Sequence, residues 1–405
     1  MTALRLFHGG PILQMHIFLD HNSTTPLLDE VALHMTECYR RIYGNPASQH
    51  AAGRQARRVV EDARESIAEM LGARLHGRQA DRLIFTSGGT EANNLAILGL
   101  AAKQVGRLMV SSIEHPSVMG PAELLRSRDW RVEQLPAGAT GVVSVDGLRE
   151  WASADAPACR IAAVMLGNNE TGVLQPVAEL AGICNEHRIP LHTDAVQVVG
   201  KLPLNFAQLG VATLSFSAHK FHGPRGIGGL LVRGDVELQP LLYGGFQQNG
   251  LRPGTEPVAL IAGMHQALAI WQQDQEARRR RIGALRDRFE SGLLARVAGA
   301  IVNGATANRL PHTSNVSFPG LDRRALAMAL DLESVACSTG SACASGSSEP
   351  SPVLIAMGLS SEVVAGSLRF SLGAGTTETE IDAAIECIVR VVQRTAERHQ
   401  RATVY

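Results

Sequence analysis

Four short stretches of this chain carry side chains whose types and spacing could do chemistry. Thr86-Ser87-Gly88-Gly89-Thr90-Glu91 ends a strand-like run in glycines and opens a helical one, Ala92 to Leu100. Unpaired N–H groups at such a helix start lie at the positive end of its dipole, so a phosphate is a natural ligand there, although a plain capped turn has the same sequence. Leu191-His192-Thr193-Asp194-Ala195-Val196-Gln197 ends a second run in a carboxylate. A capping aspartate is the commoner use of that position; an anion there could also keep a pyridine nitrogen protonated, which makes the ring of pyridoxal phosphate an electron sink. Ser215-Phe216-Ser217-Ala218-His219-Lys220 ends a third in a lysine, followed by Gly223-Pro224-Arg225-Gly226. Such an amine forms a Schiff base with an aldehyde when its surroundings lower its pKa, and is otherwise a surface lysine. Cys343 is the fourth candidate. Cysteines usually serve as small buried hydrophobes, but this one stands among Ser, Gly and Ala in a stretch too polar for a core, so it reads as a nucleophilic thiol. Cys337, at the end of the apolar run Leu332 to Ala336, reads as structural.

Each of these signals is weak alone, and their order along the chain is specific. With the phosphate loop, the strand-end Asp with its Gln three residues on, and Ser-x-His-Lys after them, the sequence resembles the cysteine desulfurases, the NifS/IscS-like branch of the class V aminotransferase family with the type I PLP fold. The likeness runs from about Phe18 to Arg394. It includes Leu19 to Pro26, Gly44-Asn45-Pro46-Ala47-Ser48, Glu114-His115, Asn168-Asn169-Glu170-Thr171-Gly172, Arg252-Pro253-Gly254-Thr255, Gly340-Ser341-Ala342-Cys343 and Arg369-Phe370-Ser371-Leu372-Gly373.

The resemblance implies a pyridoxal-phosphate enzyme that removes sulfur from L-cysteine, leaves alanine and holds the sulfur as a persulfide on Cys343 for a protein acceptor in iron-sulfur or thiolation pathways. It makes Lys220 the Schiff-base lysine and Asp194 the partner of the pyridine nitrogen. His115 would stack on the ring and take part in catalysis, and Asn169 and Gln197 would bond the cofactor, Gln197 at the phenolic oxygen. Gly89, Thr90, Ser217 and His219 would hold the phosphate, with Thr255 reaching over from the second subunit of a homodimer. Arg369, beside Asn169, would clamp the substrate carboxylate. A selenocysteine lyase would share these motifs. A class V aminotransferase acting on another amino acid would not need Cys343, and a non-catalytic binding homologue would not need Lys220, Asp194, Thr90 and Cys343 all intact. One stretch departs from the family. Gly244-Gly245-Phe246-Gln247-Gln248-Asn249-Gly250 stands where members usually have Gly-Gly-Gly-(His or Gln)-Glu-Arg-Gly.

The elements that must position these residues are legible as well. From about residue 54 to 235, helical patterns alternate with short apolar runs bounded by turn residues, the signature of an α/β domain with a mostly parallel sheet. Strand candidates are Leu83 to Thr86, Leu108 to Ser111, Val132 to Leu135, Ile161 to Leu166, Leu191 to Thr193, Thr213 to Ser217 and Gly229 to Val232. The chemical motifs stand at their carboxyl ends, where function gathers in such sheets. A polar helical pattern over 265 to 298 leads into a smaller α+β unit, whose last helix opens on the capping pair Thr377 and Glu380. We expect a large domain over residues 30–265. Residues 1–29 and 266–405 would form the small domain, carrying a mobile cysteine loop over about 336–352.

Composition narrows the class. In 405 residues, 45% apolar, a large core is affordable, and 38 basic against 38 acidic residues leave no net field to attract nucleic acid or an anionic membrane. The dense basic run Arg278 to Arg281 reads as a solvated helix face. Six cysteines without a paired framework fit a reducing, cytoplasmic setting, and no apolar run is long enough to span a bilayer.

Overall fold

Runs such as Leu191-His192-Thr193 and Thr213-Leu214-Ser215-Phe216, buried on both faces, suit strands covered by helices above and below. The computed structural model describes residues 17–101, 104–154, 160–340 and 349–403. Its strands, in chain order, begin with β1 (Ile17–Phe18), β2 (Arg82–Thr86), β3 (Arg107–Ser111) and β4 (Arg131–Leu135). They continue with β5 (Arg160–Ala163), β6 (Leu191–Asp194), β7 (Thr213–Ser217) and β8 (Gly228–Val232). The last four are β9 (Ile301–Val302), β10 (Thr313–Ser317), β11 (Val335–Ala336) and β12 (Ser367–Ser371).

Seven of them form one sheet in the order β2-β8-β7-β6-β5-β3-β4. All neighbours run parallel except β8, which is antiparallel to both β2 and β7. Every strand expected from the sequence is present, with one trimmed: the run Ile161 to Leu166 is regular strand only to Ala163, although Val164 N and Leu166 N still donate to the His192 and Asp194 carbonyls of β6. The helices Ala51–Met70, Gly89–Ala101, Pro116–Arg126, Val177–Glu186 and Val258–Gln273 contribute buried apolar faces around this sheet. β10, β12 and β9 form a second, antiparallel sheet, which shares a separate core with the helices Gln275–Leu294 and Glu378–Thr403 through Phe289, Phe370 and Ile381. Val353, Leu354, Met357 and Val364, late in the chain, pack back into the first core.

The single helical pattern expected over 265 to 298 is two helices. Asp274, with non-helical φ −138° and ψ 27°, separates Val258–Gln273 from Gln275–Leu294. The break has a packing cause: Trp271 is buried in the first core and Ile282 and Leu285 in the second, so the chain must turn between them. The basic run is also less idle than expected. Arg279 pairs with Glu276, but Arg281 donates to the Ala374 and Thr376 carbonyls and so ties this helix to the turn before the last one. That last helix begins as its capping box requires, Glu380 accepting from the Thr377 backbone N–H and the Thr377 hydroxyl accepting from Glu380 N.

The departure at Phe246 to Asn249 has a structural account. Gln248 accepts from Phe85 N (2.7 Å) and donates to Phe85 O (2.9 Å), covering an open backbone position on β2, the edge strand of the main sheet. An ionised carboxylate could accept there but could not donate. Gln248 and Asn249 both adopt left-handed backbone, φ 50° and 58°, and these hydrogen bonds hold Gln248 there.

Candidate functional site

The loops beyond the carboxyl ends of β6 and β7, the start of the helix Gly89–Ala101 and β12 enclose a cavity of about 160 Å³. Gly89, Thr90, His115, Asn169, Asp194, Gln197, Ser217, His219, Lys220 and Arg369 all line it. Thr255 is exposed and is not among the lining residues, and Cys343 lies outside the described residues.

At one end, the first backbone N–H groups of the helix Gly89–Ala101 have no acceptor within the helix. Beside them the Ser217 hydroxyl, 1% exposed, has no hydrogen-bond partner among the described residues. A buried hydroxyl without a partner next to open helical N–H groups is a cradle for an anion. The close packing requires Gly89, since a Cβ there would meet Val196 Cγ2 at 2.8 Å.

Across the cavity stands Asp194. Its Oδ1 accepts from Val196 N (2.9 Å), so it caps its turn as an ordinary strand-end aspartate would. Its Oδ2 accepts from Asn93 Nδ2 (2.7 Å), and the carboxylate also faces the cavity. Lys220 Nζ donates to the carbonyls of Asn22 (2.6 Å) and Ser23 (2.9 Å), which hold the amine at the cavity wall. Gln197 donates to the same Asn22 carbonyl (3.0 Å) and accepts from Lys201 Nζ (2.8 Å). Burial, with the charges of Lys220 and Arg369, holds the Lys201 ammonium well below the usual lysine range.

Arg369, 1% exposed, is fixed before any ligand arrives. Its Nη2 donates to Asp20 Oδ1 (2.7 Å) and Ser23 Oγ (2.9 Å), and Nη1 to the Asn169 carbonyl (3.2 Å). Its Nε is buried without a partner among the described residues. A carboxylate would find the second N–H of Nη1, which none of these bonds uses. His115 is held below the ordinary histidine range by burial first; the Asp194 charge opposes this and those of Lys220 and Arg369 add to it. Burial likewise pushes His219 down to about 4, with Lys220 next in weight. Under the site, burial pushes Glu114 up to about 8 even though it accepts from Ser111 and Met165 N. Burial pushes the Cys337 thiol up to about 12, which fits a structural cysteine that packs against the second core.

The sequence missed Asn93 and Ser117, and it quoted Asp20, Asn22 and Ser23 only inside a motif, without a role. Only the hydrogen bonds reveal them. The donors and acceptors present fit pyridoxal phosphate: open N–H groups and a bare hydroxyl for its phosphate, an amine for its aldehyde and a carboxylate for its ring nitrogen.

The model of the family described as aminotransferase class-V matches residues 17–384. The chain is 40% identical over 387 residues to the cysteine desulfurase IscS of Dictyoglomus turgidum, covering 94% of this chain and 96% of that one. With the cysteine desulfurase NifS of Azotobacter vinelandii it shares 38% over 378 residues, 93% and 92% of the two chains. Among solved structures, the NifS-like protein from Rickettsia africae superposes with a TM-score of 0.86 at 29% identity, over 93% of this chain and 99% of that one. A structure described as SspA in complex with cysteine superposes at 0.75 with 32% identity, over 89% and 99%.

Proposed function

We propose, for a chain that belongs to the aminotransferase class-V family and has its type I PLP fold, the activity of a cysteine desulfurase: sulfur leaves L-cysteine, alanine is released and Cys343 holds a persulfide. The observation that carries this reading is the meeting of Lys220, Asp194, Thr90, Ser217, His115 and Arg369 around one cavity. Pyridoxal phosphate, when bound, supplies the electron sink that makes the substrate's Cα proton acidic and its Cβ–S bond breakable.

The chain's own residues do the rest. The first turn of the helix Gly89–Ala101, Thr90, Ser217 and His219 bind the phosphate, and Asp194 keeps the ring nitrogen protonated. Gln197 has a second amide N–H for the phenolic oxygen, its first being taken by Asn22. Arg369 takes the substrate carboxylate through the second N–H of Nη1, both protons of Nη2 and the first of Nη1 being committed to Asp20, Ser23 and Asn169. Lys220 removes the proton from Cα at Nζ. Cys343, as thiolate, attacks the substrate sulfur; the S–S bond forms as the C–S bond breaks, and the carbon left with the electron pair takes a proton to become alanine. The persulfide then passes to a protein acceptor. A homodimer, with Thr255 contributed across its interface, completes the reading.

Mass spectrometry after brief exposure to L-cysteine tests it. The peptide containing Cys343 should gain one sulfur, and Cys343→Ala should retain cofactor while alanine formation falls by orders of magnitude. Lys220→Ala should lose both turnover and the visible absorption of the wild type. Full alanine formation in Cys343→Ala, or sulfur found only on another cysteine, would overturn the assignment.

A further inference from the structure

Asn93 is fully buried, and every hydrogen-bonding position of its amide is filled. Asp194 Oδ2 can only accept, so the 2.7 Å contact fixes which end of the amide is nitrogen. Oδ1 then takes the Ser215 hydroxyl and His192 Nε2 (3.0 Å). The second amide N–H donates to Ser117 Oγ (2.8 Å). Because that oxygen accepts from Asn93, its own proton is free to go to His115 Nδ1, 2.7 Å away. The backbone N–H of Ser117 also donates to Nδ1, at 3.1 Å. Two donors therefore converge on Nδ1, which must accept, and the neutral ring carries its proton on Nε2, the nitrogen left for the cavity that His115 lines.

We propose that Asn93 and Ser117 are positioning residues that bind Asp194 and His115 into one hydrogen-bonded unit, holding His115 neutral with its proton on Nε2. The inference rests on the reading above, in which Asp194 and His115 face the cofactor ring. Its consequence is a sharper role for His115. A ring protonated at Nε2 cannot take a proton from the substrate at that nitrogen, and protonation at Nδ1 would set an N–H against the Ser117 backbone N–H. His115 therefore enters the reaction as a hydrogen-bond donor to an atom bearing negative charge, and the substrate's thiol proton goes elsewhere. The charged groups that face His115 are Asp194 at the end of β6, Lys220 after β7 and Arg369 on β12; the first favours its protonation and the other two oppose it.

Nitrogen NMR of ring-labelled histidine in the protein without cofactor reads this directly, with the His115 signals assigned by their loss in His115→Gln. Wild type should show protonated Nε2 and unprotonated Nδ1, titrating below the exposed histidines. Ser117→Ala removes a donor to the neutral ring, so the midpoint should rise by about one pH unit. Ser117→Thr, which keeps the hydroxyl, should restore it. Asn93→Ala, or Asn93→Ser if the alanine variant does not fold, should raise the midpoint too, and should add less than its full shift in a Ser117→Ala background. A protonated Nδ1 in wild type, an unmoved midpoint in Ser117→Ala, or additive shifts in the double variant would overturn the proposal. These spectra need no cofactor and no turnover. They stand or fall apart from what Lys220→Ala and Cys343→Ala show about the activity.

Discussion

At the scale of single residues, the site is built from side chains whose partners were chosen before a ligand arrives. Arg369 is the clearest case. Its ion pair with Asp20 and its bonds to Ser23 and the Asn169 carbonyl take up donors that a substrate would otherwise find, and they hold the fork in one orientation. Buried and paired, the guanidinium also avoids the desolvation cost of a lone cation. Lysine at this position would keep the charge but lose the planar fork, so it could satisfy Asp20 or a substrate carboxylate but not both well. Arg369→Lys should therefore lower kcat/KM for L-cysteine by roughly a hundredfold, carried mainly in KM, the loss of one charge-assisted hydrogen-bonded pair. Steady-state kinetics with cofactor content measured in parallel would check this. A fall in kcat with KM unchanged would place Arg369 in the chemistry and not in substrate binding.

At the scale of elements, Gln248 shows what one side chain does for a sheet edge. It substitutes for a neighbouring strand at Phe85 by accepting from its N–H and donating to its carbonyl, and Arg64 donates to the same amide oxygen (3.1 Å). Gln248→Glu would set a carboxylate oxygen against the Phe85 carbonyl and remove the donor, while strengthening the contact to a half-buried Arg64. The lost hydrogen bond outweighs a partly exposed ion pair, so the variant should be less stable by about 1–2 kcal/mol, seen as a lower urea midpoint at unchanged slope. An equal or higher midpoint would mean that the charge pair dominates. This element also marks where sequence reading stops. The seven strands of the main sheet were legible because runs such as Leu230-Leu231-Val232 are apolar, β-branched or both and end in turn residues. β10, Thr-Ser-Asn-Val-Ser, is completely buried yet polar, and β1 and β9 are two residues long, so neither hydropathy nor period could flag them, whereas β11 falls within the run Leu332 to Ala336. The site divided the same way. Lys220, Asp194 and the Gly89-Thr90 turn announce themselves by standing at strand ends. Asn93 and Ser117 look like any polar residues on a helix until their hydrogen bonds are seen.

At the scale of the whole molecule, Thr255 poses a question that one chain cannot answer by itself. Every other residue assigned to the cofactor lines one cavity of its own chain, whereas Thr255 is exposed outside it. The surface also presents Tyr39, Tyr43, Tyr243 and Phe246, the last 94% exposed, and large aromatic groups left open to water are a feature of association surfaces. If Thr255 serves the phosphate, it must do so in the cavity of a second copy. Thr255→Val should then weaken cofactor retention by removing one hydroxyl donor, a loss of about 1 kcal/mol or roughly fivefold in dissociation constant. Mixing that variant with Lys220→Ala gives a test no intrachain role could mimic. In a mixed dimer, the subunit with an intact lysine receives its threonine from the Lys220→Ala chain, so half of the sites regain the full wild-type set and half have no lysine. Retention and turnover per intact lysine should return to wild-type values in the mixed species, separated by differential tags after refolding or subunit exchange. If the mixed species retains cofactor no better than the Thr255→Val homodimer, the threonine acts within its own chain or not at all.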